Sequence, residues 1–227
     1  MILYAIPSAL GGAPTDALPA SSVRIVKSLR DFTVENAKSA RAFLGGLGLT
    51  VRDLNIVVIQ DDVLPLLKPL HEGRSLGLLS EAGCPAIADP GALLVEAAHQ
   101  AGFRVVPLVG PSSITLALMA SGLEGQRFAF CGYLPRDKAE RETRIRELEK
   151  RSQQENETEI FIETPYRNDA MMESLLSTCR PSSLLCVAAD LTLPTESIVT
   201  KNVRQWRRAG AAIGRRPAVF LLLADKR

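Results

Sequence analysis

The sequence predicts an α/β protein of two α/β/α domains, the first on a mainly parallel sheet and the second on a mixed sheet. Three observations carry this. Between Ser75 and Ser121 two apolar runs, Leu76–Leu79 and Arg104–Val109, are each followed by a small-residue turn and then by apolar residues at helical spacing, the order of strand, turn and helix in a parallel sheet. In the second half the last three strand signals crowd together with little helix between them, which implies antiparallel neighbours. The alternation restarts after a short connection near Ser112–Gly122, giving expected domains of residues 1–112 and 113–227.

Taken in order, Ile2–Ile6 is a predicted strand, stopped by Pro7 and the loop Gly11-Gly12-Ala13-Pro14. Val23, Ile25 and Leu29 alternate around Arg24–Leu29 in strand fashion, and Phe32–Val34 is an apolar run suited to another buried strand. Glu35–Leu44 changes to helical spacing, with Ala37, Ala40, Phe43 and Leu44 on one side. A strand is expected at Asn55–Gln60, a helix at Val63–Leu70 despite Pro65, and a stop at Gly73. The helix expected at Leu93–Gln100 ends before Gly102, and that at Ile114–Ser121 before Gly122.

Phe128–Tyr133 opens the second series of strands, followed by Glu159–Glu163, Leu184–Ala189, Ser197–Lys201 and Ala218–Leu223. Asp169–Ser177 reads as a helix between the second and third of these. Asp137–Ser152 reads as a charged helix with Glu140–Arg144 and Glu142–Arg146 four residues apart. Its first turn offers Arg136, Lys138 and Arg141 to a phosphate. Trp206, flanked by Arg204, Arg207 and Arg208, suits either a surface anchor for RNA or the end of a last helix.

Composition narrows the function classes. With 227 residues, 46% of them hydrophobic, the chain has material for a sizeable core, and its longest apolar runs fall well short of a membrane span. Met1-Ile-Leu-Tyr lacks the charged start of a signal peptide, so a cytoplasmic protein without membrane attachment is expected. The net charge of +2 is below the balance of a dedicated nucleic-acid-binding domain. Up to Ser112 there are 9 Lys and Arg against 10 acids, and afterwards 18 against 15, so polyanion contacts should fall in the second half, at Lys201, Arg204, Arg207, Arg208, Arg215 and Arg216. Cys84, Cys131, Cys179 and Cys186 lie far apart, and no metal site is expected.

Several ordered motifs resemble one family. They are S-E-A-G-C-P (Ser80–Pro85), D-P-G (Asp89–Gly91), V-G-P-S-S (Val109–Ser113), F-C-G-Y-L-P (Phe130–Pro135), I-E-T-P-Y-R (Ile162–Arg167) and R-P-A-V-F-L-L-L (Arg216–Leu223). Together they are similar to the tetrapyrrole methylase superfamily, and within it to the branch of S-adenosylmethionine-dependent enzymes that methylate a ribose 2′-hydroxyl in small-subunit ribosomal RNA. V-E-N-A-K-S-A-R (Val34–Arg41) resembles that branch's acidic strand end and basic helix. The chain departs from the branch at Ile6–Gly11, where a T-P-I-G-N turn is usual, and at Ala189–Leu193, which lacks the arginine and lysine of R-E-L-T-K.

The resemblance implies S-adenosylmethionine bound between the two domains, a homodimer, and ribosomal RNA or the small ribosomal subunit as partner. It leaves open a small metabolite such as a tetrapyrrole as acceptor, or a non-catalytic cofactor-binding homologue. Ligands of parallel α/β sheets sit outside the carboxyl ends of the strands. Candidate cofactor contacts are therefore Ser80, Ala82, Gly83, Cys84 and Pro85 in one turn, Gly110, Pro111, Ser112 and Ser113 in another, and Tyr133, Thr164 and Pro165 in the second half. Valine at Gly83 or Gly110 is expected to clash with the ligand and not with the core. Methyl transfer from a sulfonium needs alignment and, for a weakly acidic hydroxyl, a base. Glu35, Glu81 and Asp89 stand at strand ends or turns where one could serve, although capping or ion pairing is the readier account of each taken singly.

Overall fold

A computed structural model describes residues 1–210 and 212–225, which form two compact units, Met1–Ser112 and Ser113–Arg227. In the first unit β1 (Ile2–Ile6), β2 (Asp31–Val34), β3 (Asn55–Val58), β4 (Leu76–Leu79) and β5 (Arg104–Pro107) make an all-parallel sheet in the order β3-β2-β4-β1-β5. Successive side chains of a strand point to opposite faces, and both faces here are covered. Leu3, Leu76 and Leu78 pack with Leu67, Leu70 and Leu94 on one side, while Ile6, Phe32 and Leu79 pack with Val26, Phe43 and Leu44 on the other. Burial on both faces is why β4 reads as an unbroken apolar run.

Five helices flank this sheet: α1 (Pro14–Ala17), α2 (Ala20–Ser28), α3 (Ala37–Gly46), α4 (Lys68–His71) and α5 (Gly91–Gln100). The strand-like alternation around Arg24–Leu29 is overturned, because those residues lie in α2 and its end. The spacing that matters there is Ser22, Val26 and Leu29, the residues that are buried, at intervals of four and three. Val63–Leu70 divides into a 3-10 turn, Leu64–Leu67, and α4, since Pro65 and Pro69 each open a helical turn and donate no amide hydrogen bond. Helix α3 starts where Asn36 caps it, its side chain accepting from Lys38 N (2.8 Å) and Ser39 N (3.3 Å).

The second unit holds α6 (Ser113–Ser121), β6 (Phe128–Tyr133), α7 (Lys138–Glu155), β7 (Thr158–Glu163), α8 (Asn168–Thr178), β8 (Leu184–Ala189), β9 (Ser197–Asn202), α9 (Val203–Ala209) and β10 (Ala218–Leu223). Its sheet is mixed, in the order β6-β7-β10-β8-β9: β6 and β7 are parallel and every other pair is antiparallel. The last strand in sequence is thus the middle strand in space. Its alternating Ala218, Phe220 and Leu222 join a core with Leu148, Phe161, Met171, Leu175 and Trp206.

Several charged residues stand differently from expectation. In α7, Glu142 pairs with Arg146 (3.5 Å), whereas Arg144 pairs with Glu147 (2.9 Å). Arg141 is buried and donates to Ser174 Oγ (2.9 Å) and Arg136 O (2.8 Å), and Lys138 is paired with Glu173 (2.7 Å). Of these three bases Arg136 alone stays exposed and outside any ion pair among the described residues. Trp206 is buried, its Nε1–H donating to Leu185 O at 2.8 Å, so it is no surface anchor. The basic residues from Lys201 to Arg216 do not form one cluster either. Asn202 pairs with Leu184 and Ala218 with Ala189, which puts Lys201–Arg208 and Arg215–Arg216 at opposite ends of the sheet. No helix among the described residues is long and apolar enough to cross a membrane.

Candidate active site

All five strands of the first unit run the same way, so the turns that follow them gather along one edge. The turn after β4 is fastened to the turn after β1. Ser8 N donates to Gly83 O (2.8 Å), Gly83 N to Ser8 O (3.1 Å), and Ser8 Oγ to Ser80 O (2.9 Å). Ser80 Oγ closes its own turn on Gly83 O (3.1 Å), and Gly83 takes φ +75°, a region that favours glycine. Cys84 Sγ donates to Pro111 O (3.4 Å), joining the turn after β5, and burial pushes this thiol up, so it stays protonated at neutral pH. Ser80 and Cys84 therefore spend their polar side chains on the turns themselves. Gly110 serves close packing: a Cβ there would lie 2.4 Å from Pro7 Cβ and 2.9 Å from Leu18 Cδ2. That overturns the expectation that a larger residue at Gly110 would meet only ligand.

The three acids converge on one loop. Glu35, just past β2, accepts from Glu81 N through Oε2 (2.9 Å). Asp89 Oδ1 accepts from Ala86 N (2.8 Å) and Gly91 N (2.7 Å), while its Oδ2 is buried and has no hydrogen-bond partner among the described residues. Burial pushes the Asp89 carboxyl above its ordinary value, the two amides oppose that rise, and the charge of Glu35 adds to it. The two bonds from Asp89 brace a loop in which Ala86 (φ +66°) and Ala88 (φ +62°) are left-handed, at a cost of about 1–2 kcal/mol for each alanine. Ala82 and Glu81 are exposed on the same edge, Pro85 is buried, and the turns also expose Ile87 and Val109.

Ser113, Tyr133, Thr164 and Pro165 belong to the second unit. Strand register places Tyr133 opposite Ile162, and Ala218 opposite both Glu163 and Ala189, so Tyr133, Thr164–Arg167, Asp190 and Arg215–Arg216 share one sheet edge. The buried carboxylate of Glu163 accepts from Thr164 N (2.6 Å) and from Arg167 Nη2. Asp190, itself left-handed at φ +53°, accepts from Arg216 Nε (2.7 Å) and Thr195 Oγ1 (2.9 Å), and Arg216 holds its carboxyl below the usual range. Glu163 and Arg167 pair four residues apart within one motif, whereas Asp190 and Arg216 pair 26 positions apart, a contact with no local signal. Ser8 was missed for the same reason.

A cavity of about 410 Å³ lies elsewhere in the first unit, lined by Asp31, Thr33, Asn55, Val57, Leu66 and Arg74 among others. None of the turn residues lines it. In its wall Asp31 is taken up by its neighbours, accepting from Arg74 Nε (2.9 Å) and Asn55 Nδ2 (3.0 Å). The turn edge, with an orphaned buried oxygen and exposed apolar groups, is the better candidate for a ligand. No cluster of three potential metal ligands occurs among the described residues.

Residues 49–206 match the family model for tetrapyrrole (corrin/porphyrin) methylases. Curated relatives bear the name ribosomal RNA small subunit methyltransferase I. The one from Xylella fastidiosa is 34% identical over 177 residues, covering 77% of this chain, which spans 63% of that relative's length. The one from Thermotoga maritima is also 34% identical, covering 74% of this chain and 73% of its own. Among solved structures, uroporphyrin-III C-methyltransferase from Thermus thermophilus aligns over 98% of this chain and 94% of its own with TM-score 0.59 at 20% identity. Diphthine synthase aligns over 99% and 90% with TM-score 0.68 at 14% identity, a likeness of fold.

Proposed function

The chain belongs to the tetrapyrrole (corrin/porphyrin) methylase family, methyltransferases whose donor is S-adenosylmethionine, and we propose that it methylates a ribose 2′-hydroxyl in small-subunit ribosomal RNA. The observation that carries the acceptor is the name shared by its curated relatives, which act on that RNA by name. The carboxyl edge of the first unit fits the donor on chemical grounds. Glu35 and Glu81 complement a sulfonium cation, the turns Ser80–Cys84 and Gly110–Pro111 bring backbone to the ligand, and Ile87 and Val109 offer apolar contact to an adenosine.

When bound, S-adenosylmethionine supplies a methyl group made electrophilic by its sulfonium. The work left to the chain is to align the acceptor hydroxyl and to take its proton. Alignment of this kind is worth roughly 7–11 kcal/mol of barrier. Asp89 is the favoured base, since its Oδ2 is uncommitted among the described residues and its raised pKa makes it more basic than an ordinary carboxylate. Glu35 is committed to the amide of Glu81 and positions the turn. We also take the active form to be a homodimer, which sedimentation would test.

The test is methyl incorporation from labelled S-adenosylmethionine into small ribosomal subunits. Subunits from cells lacking the gene should accept label at one ribose, located by mass analysis, and subunits from normal cells should not. Equal labelling of the two, or none in either, overturns the proposal. Asp89→Asn should lower kcat while leaving the donor's Kd within a few-fold.

A further inference from the structure

We propose that Tyr166 and Arg215 form a stacking platform for one unpaired nucleobase of the RNA, an assignment that rests on the RNA acceptor proposed above. Tyr166 is 78% exposed, and the Arg215 guanidinium carbon lies 4.9 Å from the centre of its ring. An exposed aromatic ring gains little by folding, yet both partners here are held by buried groups.

The turn carrying Tyr166 is pinned at its start, where Glu163 binds Thr164 N and Arg167. The loop carrying Arg215 is pinned on both sides. Asp169 Oδ1 accepts from Ile213 N (2.8 Å) and Gly214 N (3.0 Å), and the fully buried Asn168 donates through Nδ2 to Gly214 O (3.1 Å) and Arg216 O (2.6 Å). Arg216 is itself fixed on Asp190. Arg215, between these anchors, is exposed and in no ion pair among the described residues. The backbone that carries the pair is held by the fold itself before any ligand arrives, which lowers the entropic cost of binding.

The chemistry selects a nucleotide. Every base has a π-face for a tyrosine ring, and an Arg guanidinium both stacks and neutralises phosphate. A simple cation is disfavoured, because Arg215 already sits over the ring. Tyr133, 56% exposed, and the unpaired Arg136 share this sheet edge and would receive the neighbouring nucleotide.

The probe is a seven-nucleotide single-stranded oligoadenylate RNA carrying 2-aminopurine at its centre, whose fluorescence falls when it stacks. Tyr166→Ala should weaken binding on the order of 5- to 150-fold and abolish the quenching, while Tyr166→Trp keeps both. Arg215→Ala should weaken binding and reduce the salt slope by about 0.7. Circular dichroism checks that each variant is folded. If Tyr166→Ala and Arg215→Ala bind like the parent protein while subunits are still methylated, the platform is overturned and the RNA acceptor stands. A parent protein that does not bind the oligonucleotide overturns the platform, while the RNA acceptor stands or falls with methyl incorporation into subunits. Loss of S-adenosylmethionine affinity in Tyr166→Ala, with RNA affinity kept, would assign the ring to the donor's adenine and overturn the platform.

Discussion

Gly83 and Gly110 occupy neighbouring turns on the candidate edge, and alanine at either should destabilise the first unit for different reasons. At Gly110 the obstacle is room, since a Cβ would lie 2.4 Å from Pro7 Cβ, 2.8 Å from Pro7 Cγ and 2.9 Å from Leu18 Cδ2. A proline ring cannot swing aside as a flexible side chain would, so the turn itself must shift. Overpacking of this kind costs about 1–3 kcal/mol, or a fall in Tm on the order of 5–15 °C for a unit of this size. At Gly83 the nearest atom is Leu10 Cδ2 at 3.4 Å, ordinary contact, and the obstacle is φ +75°, worth about 1–2 kcal/mol. Asparagine tolerates that conformation, so Gly83→Asn should recover part of what Gly83→Ala loses, whereas Gly110→Asn should be worse than Gly110→Ala. Calorimetry and urea titration on the four variants measure this. Trp206, the one tryptophan, lies in the second unit and its fluorescence follows that unit separately. Equal stability of Gly110→Asn and Gly110→Ala, or a Tm unchanged by both, would refute the packing explanation.

Three further outcomes are expected. Ala86→Gly and Ala88→Gly should each stabilise by up to about 1 kcal/mol, the relief of left-handed backbone less the entropy a glycine adds to the unfolded chain, and Asp89→Ala should destabilise, all read by thermal unfolding. Arg74→Ala should lower stability at pH 7; because Arg74 depresses the Asp31 carboxyl, the pair's contribution is present above about pH 3.8 and is lost as pH falls through the folded pKa, so parent and variant should converge in acid titrations. Burial first and Glu159 second raise the Cys131 thiol to about 11, so its alkylation at pH 7.5 should be far slower than that of a free cysteine and should climb steeply toward pH 11.

Leu76–Leu79, Leu184–Ala189 and Ala218–Leu223 were legible to the residue, because strands packed on both faces are written as continuous apolar runs. Helix α2 was not, because Val23 and Ile25 imitate strand alternation over a stretch too short to show the helical period. On the candidate edge the Gly- and Pro-bearing turns were visible through their composition. What they are fastened to was not: Ser8 meets Ser80 and Gly83 more than seventy positions away. Ala86 and Ala88 are left-handed against their own preference, held by Asp89, and nothing in an alanine announces that. The run from Lys201 to Arg216 looked like one basic patch because sequence distance is blind to the antiparallel return that separates its halves.

The place of β10 in the second sheet sets the order in which the nascent chain can fold. Residues 218–223 are translated after β6, β7, β8 and β9, yet they supply the hydrogen bonds on both sides that join β7 to β8. Until they emerge from the ribosome, the sheet exists as two separate halves with open apolar edges, Phe161 on one and Val187 on the other. A chain interrupted before Ala218 would lose the central seam of the unit and not a dispensable tail, and its half-sheets would be exposed to mispairing with other copies.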